Sequence, residues 1–223
     1  MIKVSKLIIF SVFFVSIALG SKIAVATKVK GLVEIMPIGK TEFFDLKAGT
    51  ILSDGDKIRT GKSGFVAIIF IDDKSTLKLK GDTEAVISGQ RTAASISKKI
   101  NMDSGTVRAT VNKQNTDFVI QTPTSVASVK GTDFWLLTDP VTGDQIICVE
   151  GTVGLVNAET GEEVDVTEGM SCISIPDGTL ELSETDPSSI PEDPSADQEG
   201  PSQIKIYLEG PNGEQKVMII EYQ

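Results

Sequence analysis

Apolar and polar residues alternate along much of the chain, in short runs that end at glycine or aspartate. A period of two is typical of β-strands, because successive side chains of a strand point to opposite faces of its sheet. Turn sequences rich in aspartate and glycine separate the runs, since aspartate side chains bond nearby backbone and glycine accepts a positive φ. The pattern predicts strands over residues 32–35, 65–71, 76–79, 85–87 and 107–111.

No stretch after the N-terminal segment shows the spacing of an amphipathic helix. The best candidate, residues 92–100, is short and rich in serine and threonine, so we expect a loop with at most one helical turn. Four predicted strands open with a glycine, at Gly31, Gly105, Gly131 and Gly151. Such strands at irregular spacing fit a stacked, solenoid-like β domain and also a sandwich. The sequence therefore predicts an all-β domain and leaves these two architectures open.

The N-terminus has the features of a secretory signal peptide. Two lysines precede an almost uninterrupted apolar run over residues 7–19, and the small residues of Ala24-Val25-Ala26 follow. The run is too short to cross a bilayer comfortably, and small residues suit signal peptidase. We expect residues 1–26 to be a cleaved signal and the mature protein to be periplasmic or extracellular. An uncleaved membrane anchor is the alternative, because apolar residues continue beyond the run.

The composition changes near the C-terminus. Residues 183–202 are rich in proline, serine and acidic residues and contain no base. Such a segment buries too little apolar surface to offset the entropy lost on ordering, so we expect a disordered acidic linker. Beyond it, two apolar runs flank a strong turn sequence at 210–213, which predicts a C-terminal β-hairpin over 203–223. A lone hairpin is marginally stable in water. We expect this one to dock on its own chain, with strand exchange between two copies as the alternative.

Charge and composition exclude several classes of function. Removing residues 1–26 removes three lysines and no acid, which leaves a net charge of −13 that repels nucleic acid and anionic membranes. The chain contains no histidine, which excludes Ser-His-Asp and Cys-His catalysis and His-ligated zinc. Asp54, Asp56, Asp72 and Asp73 lack the spacing and the closing glutamate of a calcium loop, so we interpret them as turn residues. We predict no catalytic residue, no metal, no cofactor, and no membrane span once the signal is cleaved.

Two blocks of sequence, taken in order, resemble the FecR-like periplasmic domain. The first, within residues 46–61, has the spacing G-x-x-L-x-x-G-D-x-I-x-T. The second has Thr-Pro at 122–123, V-K-G-T-x-F at 129–134 and G-x-V at 151–153. We expect the motif residues to be structural: Gly49, Leu52, Gly55, Asp56, Ile58, Thr60, Thr122, Pro123, Val129, Lys130, Gly131, Thr132, Phe134, Gly151 and Val153.

The resemblance implies a domain at residues 27–182. In full-length FecR proteins, a cytoplasmic segment binds a sigma factor, a transmembrane helix follows, and the periplasmic domain senses an outer-membrane transporter. Residues 1–6 are too short for that cytoplasmic segment, and residues 203–223 are too short for the family's C-terminal α/β subdomain. We therefore expect an exported, non-catalytic binding or scaffolding module that recognises a protein or an envelope component.

Two other functions stay open. One is a signal-transduction component of a FecR-type sigma regulator pathway that lacks the cytoplasmic segment. The other is a carboxylate-dependent enzyme acting on polysaccharide, because β-folds can carry paired carboxylates without histidine.

Three further residues have two interpretations each. Trp135, the only tryptophan, is either a packed strand residue or part of a partner surface. Cys148 and Cys172 lie in predicted strands, where they could form a disulfide in an oxidising compartment or remain buried thiols.

Overall fold

The computed structural model describes residues 20–93, 95–113, 116–194, 203–209 and 215–221. In the last two ranges, side chains are described only for Ile206, Val217, Met218 and Ile219. The described residues form nineteen strands and one short 3-10 helix, so the all-β prediction is confirmed.

Seventeen strands form two sheets that share one long strand, β9 (Ile96–Thr110). All strand pairs are antiparallel except β9 with β10, which are parallel. In spatial order, sheet A contains β4 (Ile51–Ser53), β1 (Lys22–Lys30), β6 (Phe65–Phe70), β7 (Thr76–Leu79), the second half of β9, β12 (Asp133–Asp139), β13 (Gly143–Glu150), β16 (Met170–Ser174) and β17 (Leu180–Glu184). Sheet B contains β3 (Phe44–Asp45), β2 (Val33–Met36), β5 (Asp56–Thr60), β8 (Glu84–Arg91), the first half of β9, β10 (Phe118–Gln121), β11 (Ser125–Val129), β14 (Thr152–Asn157) and β15 (Glu163–Thr167). The separate hairpin consists of β18 (Gln203–Glu209) and β19 (Gln215–Glu221).

The two sheets enclose a continuous apolar core. Ile68 and Leu77 from sheet A and Ile58 and Ile100 from sheet B are fully buried in one cluster. Along most strands, every second residue faces this core, as the period of two predicts. Strand β6 is different, because all six of its residues are buried. Its outward side chains must therefore be covered by another part of the chain.

The recurring glycines mark corners at which the chain passes from one sheet to the other. Gly31, Gly131 and Gly151 have positive φ and lie between strands of different sheets. Gly105 has a φ of +116° and lies where β9 leaves β8 and begins to pair with β12. A Cβ at this position would come within 2.3 Å of Thr83 Oγ1, so only glycine fits. The glycines are corners of a sandwich rather than rungs of a solenoid.

Residues 92–100 do not form the predicted loop, because β9 begins at Ile96. The strand pattern is hidden because one inward position holds a lysine. Lys98 is 1% exposed, and its Nζ lies 2.9 Å from Asp72 Oδ2 and 2.8 Å from Asp73 Oδ2. A buried charge needs such partners, so two turn aspartates make a lysine compatible with this strand.

The β domain begins at Lys22, before the predicted boundary at Thr27. Residues 23–26 lie inside β1 and are fully buried between the sheets and the hairpin. The predicted boundary therefore falls within a core strand. No helix among the described residues is long and apolar enough to span a membrane. Residues 1–19, which hold most of the predicted signal, lie outside the described residues.

The C-terminal region differs in part from the prediction. Residues 183–194, predicted to be disordered, complete β17 and then follow a defined path that includes the 3-10 helix Pro187–Ser189. The predicted hairpin is present as β18 and β19. Residues 195–202 and the predicted turn at 210–213 lie outside the described residues.

Candidate interaction surface on sheet A

Five cross-strand neighbours form a row on the outer face of sheet A, the face turned away from the core. Direct cross-strand neighbours point their side chains to the same side of a sheet, and the residues next to them in sequence face the core. The row therefore places two cations, an aromatic ring and an aliphatic side chain on one surface. From β7 to β16 it contains Lys78, Arg108, Trp135, Ile147 and Ser171.

The centre of this row is buried. Trp135 is 2% exposed and Ile147 is 1% exposed, although neither belongs to the core cluster between the sheets. A side chain on an outer face is buried only where another segment covers it. Residues 185–194, which we call the strap, have contacts at both ends of the row and therefore cross Trp135 and Ile147.

The strap is attached at its first residue to β16 and to the turn before it. Thr185 N donates a hydrogen bond to Gly169 O at 2.9 Å, and the hydroxyls of Thr185 and Ser171 lie 2.8 Å apart. The next residue, Asp186, caps the 3-10 helix by accepting a hydrogen bond from Ser188 N at 2.9 Å. These contacts turn the chain from the edge of the sheet onto its outer face.

The last residues of the strap bind four cationic side chains. Asp193 Oδ2 accepts hydrogen bonds from Lys78 Nζ at 2.6 Å and from Arg108 Nη1 at 2.9 Å. The backbone carbonyls on either side of Asp193 are also bound. Lys80 Nζ donates to the carbonyl of residue 192 at 3.0 Å, and Lys30 Nζ donates to that of residue 194 at 2.7 Å. Sheet A therefore holds both the charge and the backbone of an extended acidic segment.

Arg108 organises this binding site. Its Nε and Nη2 atoms each donate to one oxygen of Asp133 at 2.9 Å, which fixes the plane of the guanidinium. The guanidinium carbon lies 5.5 Å from the centroid of the Trp135 ring, and Lys80 Nζ lies 5.7 Å from it. The hydrogen bonds with Asp133 raise the pKa of Arg108 above its ordinary value, and the charge of Asp193 adds to this effect. The site is thus a fixed cation beside an aromatic ring.

The hairpin covers a second part of the same outer face. Ile206 is 7% exposed and packs with Val25 and Ile69, which are direct neighbours on β1 and β6. Met218 lies against the same cluster. In this structure, the hairpin therefore contacts its own chain through Ile206 and Met218.

The first motif block builds the corner between β4 and β5. Asp56 accepts hydrogen bonds from Ser53 N at 2.7 Å and from Ile38 N at 3.0 Å, one on each carboxylate oxygen. Burial raises the pKa of this carboxyl group. Gly55, with a φ of +86°, lies against the Ile38 side chain. The other members are Gly49, in the turn before β4, and the buried residues Leu52, Ile58 and Thr60.

The second motif block builds the corners at β11–β12 and β13–β14. Gly131 and Gly151 both have positive φ, and Thr132 Oγ1 donates to Thr152 O at 2.8 Å, which joins the two corners. Lys130 is exposed, and its Nζ lies 3.7 Å from an exposed carboxylate, a contact that contributes little. Of the remaining members, Thr122, Val129, Phe134 and Val153 are buried, and Pro123 is exposed.

The predicted turn aspartates do not assemble into a metal site. Asp54 accepts a hydrogen bond from Gly89 N at 2.9 Å, and Asp72 and Asp73 bind Lys98. Within the described part of the chain, no group of three or more histidine, cysteine, aspartate and glutamate side chains is placed to hold a metal ion.

A cleft of about 680 Å³ lies beside the turn between β12 and β13 and is lined in part by Asp139 and Asp144. Asp144 is 1% exposed and accepts hydrogen bonds from the hydroxyls of Thr122 and Ser125, at 2.5 Å each, and of Thr138. Its oxygens join the turn between β10 and β11 to β12 and β13. This carboxylate is therefore part of the structure of the cleft rather than a free acid within it.

Of the two alternatives for Cys148 and Cys172, the structure has the second, because both are buried free thiols. Cys172 lies opposite Ile146, two residues from Cys148. Such diagonal neighbours are about 7–8 Å apart, whereas disulfide-bonded Cα atoms are about 4.4–6.8 Å apart. Burial raises the pKa of Cys148 to about 11 and also raises that of Cys172.

The sequence patterns single out Trp135 but neither the cations around it nor Asp193. Trp135 is buried rather than exposed, so in this structure it is a packed residue of the outer face. One feature of the sequence does point to a cover over this face. Residues 65–70 are apolar at every position, which is typical of a strand buried on both faces.

Comparison with known proteins supports the fold and the motif assignment. Two crystal structures of a putative anti-sigma factor from Parabacteroides distasonis ATCC 8503 are 14% identical to this chain, with TM-scores of 0.49 and 0.50. The likeness covers 58% of this chain and 60% of theirs, and at this identity it concerns the fold alone. No curated protein matches. Residues 56–154, which contain most of both motif blocks, match the family model described as FecR protein.

Proposed function

We propose that this chain is an exported, non-catalytic binding module of the FecR type, and that it recognises a protein through the outer face of sheet A. One observation carries the proposal: this face already binds a peptide segment, the strap, through a carboxylate and two backbone carbonyls. A surface that holds an extended chain in this way has the chemistry needed to hold another.

The composition of the surface also supports protein recognition. Tryptophan and arginine are enriched among the residues that dominate binding energy at protein interfaces, and here Trp135 and Arg108 are adjacent. Arg108 is held in place by Asp133, so a partner would not have to order its side chain. Binding to such a preorganised group loses little conformational entropy.

The carboxylates argue for a binding role over a polysaccharide-acting enzyme. Paired acids for glycoside hydrolysis need one carboxyl that can hold a proton and one that faces the substrate. Asp133 and Asp193 are bound to Arg108, and Asp144 is bound to three hydroxyls. Each of these groups already has a structural partner.

A role within a sigma-regulator pathway is the second candidate. The FecR domain and the shared fold with an anti-sigma factor favour it. In that case, the partner of sheet A would be another component of the same pathway. Finding a sigma factor or an outer-membrane transporter as the cross-linked partner in the experiment below would support this candidate.

A signal cleavage that leaves the fold intact must keep β1, because residues 23–26 are buried within it. Ala18 and Gly20 place small residues three and one positions before Ser21, as signal peptidase requires. Processing there would retain the buried residues 23–26. We expect the intact mass of the exported protein to correspond to an N-terminus at Ser21, and an N-terminus at Thr27 would show that these core residues are dispensable.

Site-specific photo-cross-linking in cells tests the binding surface. A photo-cross-linking amino acid is placed at Thr110, an exposed residue of β9 beside the row on sheet A, and separately at Lys99, an exposed residue of β9 on sheet B. We expect a cross-linked protein product from position 110 and none from position 99. No product from position 110 would contradict the proposal, and equal products from both positions would show that the contact is not specific.

A further inference from the structure

We infer that the strap is a built-in competitor for the partner, and that the partner presents an acidic, extended segment to the place on sheet A that Asp193 now occupies. This inference rests on the proposed function and names the chemistry of the partner. It makes the outer face of sheet A a surface that is closed in the free protein and opens when a better acidic segment replaces the strap.

The contacts of the strap define what the surface recognises. Lys78 and Arg108 share one carboxylate oxygen of Asp193, and Lys80 and Lys30 bind the backbone carbonyls on either side. The four donors therefore bind one carboxylate and the two backbone carbonyls beside it, and they bind no other side chain of the strap. Any segment with a carboxylate at that place can satisfy the same four cations.

The strap fits this surface only in part. Residues 186–188 are exposed, and the Ile190 side chain is 42% exposed, so the middle of the strap buries little apolar surface of its own. Beneath it, Trp135 and Ile147 form an apolar floor that is already covered. A partner segment that replaces the strap gains by burying a larger apolar side chain of its own over this floor.

Charge and tethering favour a segment of a different protein over a second copy of this chain. The chain has a formal charge of −10, so two copies repel each other, whereas the four cations around Asp193 attract an acidic segment. The strap also follows β17 directly, which gives it a high effective concentration at its own site. An identical strap from another copy would have to overcome this advantage with the same contacts.

The first test repeats the cross-linking from position 110 with Asp193→Asn, which weakens the strap without changing sheet A. Glu192→Gln is the matched control, because its exposed side chain is adjacent to Asp193 and makes no ion pair within the described part of the chain. We expect Asp193→Asn to increase the cross-linked product several-fold and Glu192→Gln to leave it unchanged. A product that Asp193→Asn does not increase would overturn this inference but leave the proposed function standing, whereas no product from any variant would contradict the proposed function itself.

The second test uses a fluorescent peptide with the sequence of residues 184–195 and measures its anisotropy with the full-length protein. We expect Asp193→Asn to bind the peptide roughly tenfold more tightly than the wild type, since a hydrogen bond to a charged group is worth about 1.5–3 kcal/mol. Adding Arg108→Ala to that variant should remove the gain. Equal binding by the wild type and Asp193→Asn would overturn the inference.

Two more outcomes of the second test would also overturn it. If polyaspartate of the same length binds Asp193→Asn as tightly as the peptide does, the surface attracts polyanions in general and does not recognise a segment. If sedimentation shows that Asp193→Asn dimerises, the open surface takes the strap of a second copy. A melting curve of each variant, compared with the wild type, confirms that the domain is folded in these measurements.

Discussion

The outer faces of the two sheets have the same strand pattern but opposite surroundings. On sheet B, outward residues form ion pairs at the surface, between Lys57 and Glu84 and between Arg59 and Glu34. On sheet A, outward residues such as Ile69 and Trp135 are buried beneath the strap and the hairpin. The alternation of the strands determines which residues point outward, and the chemistry of those residues determines whether a cover is needed.

The difference shows where this chain gains stability. Surface ion pairs contribute little, because water screens them and long side chains lose entropy when they are held. Burying a large apolar side chain contributes about 1.5–3 kcal/mol. The C-terminal segments therefore stabilise sheet A, whereas sheet B needs no cover. A face that requires a cover is also a face from which a cover can be displaced.

The largest expected effect is the difference in stability between a charge placed in the core and a charge placed on an outer face. Ile68→Asp places an uncompensated charge between the sheets and should cost roughly 4 kcal/mol or more, enough to unfold the domain. Val86→Asp, at an outward position of β8 next to Lys57, should cost about 1 kcal/mol or less. Thermal melting followed by circular dichroism measures both. A wild-type melting temperature for Ile68→Asp would refute the burial of this position.

A large effect is also expected from Trp135→Ala, which removes the floor beneath the strap. Replacing a buried tryptophan by alanine costs about 3–5 kcal/mol in well-packed sites. Phe43→Ala is the matched control, because Phe43, which directly precedes β3 of sheet B, also lies beneath an arginine, 3.7 Å from the guanidinium carbon of Arg59, but is only half-buried. Urea denaturation should show a clearly larger loss for Trp135→Ala. Equal losses would mean that the two outer faces do not differ as described.

The two arginines provide a smaller contrast. Arg108→Ala leaves Asp133 and Asp193 without their common partner and should cost about 2 kcal/mol. Arg108→Lys should lie between the alanine variant and the wild type, since lysine keeps the charge but loses the planar fork. Arg59→Ala, on the open face, should not change the denaturation midpoint measurably. A similar shift for Arg59→Ala would show that sheet B also depends on its charges.

The smallest expected effect concerns the pKa of Glu34, on the open outer face of sheet B. The hydrogen bond from Arg59 holds the pKa of Glu34 below its ordinary value of 4.5. A lowered pKa in the folded protein means that the pair stabilises the fold above pH 4.5 and loses this effect as the pH falls through the lowered pKa. NMR titration should show this shift in a protein that stays folded, and Arg59→Ala should return Glu34 to its ordinary pKa. An ordinary pKa in the wild type would show that the pair does not persist in solution.

Local patterns in the sequence predict much of the fold. Strands at 65–71 and 107–111, the hairpin and the all-β class follow from alternation and turn residues, because these depend on neighbours in sequence. The strand over residues 96–100 is not predicted because Lys98 occupies a core position. Its charge is neutralised by aspartates about 25 residues away in the sequence. The strand over residues 23–26 is not predicted because it directly follows the signal sequence and has the same apolar composition.

The candidate site is harder to predict than the fold. The motif residues are visible in the sequence because the corners they form are local. Lys78, Arg108 and Trp135 come together only through the pairing of β7, β9 and β12. Asp193, which binds Arg108, lies 85 residues after it in the sequence. Register and the path of a coil segment depend on the whole domain, so neither can be read from a local pattern.

The sharing of β9 between the sheets has a consequence for how the domain melts. Residues 96–104 pair in sheet B and residues 105–110 pair in sheet A, so neither sheet can come apart without disturbing a strand of the other. We expect a single cooperative transition, in which the amide protons of Ile100 and Val107 exchange with solvent only through global unfolding and at the same free energy. One continuous backbone segment would thus couple the covered face of sheet A to the open face of sheet B.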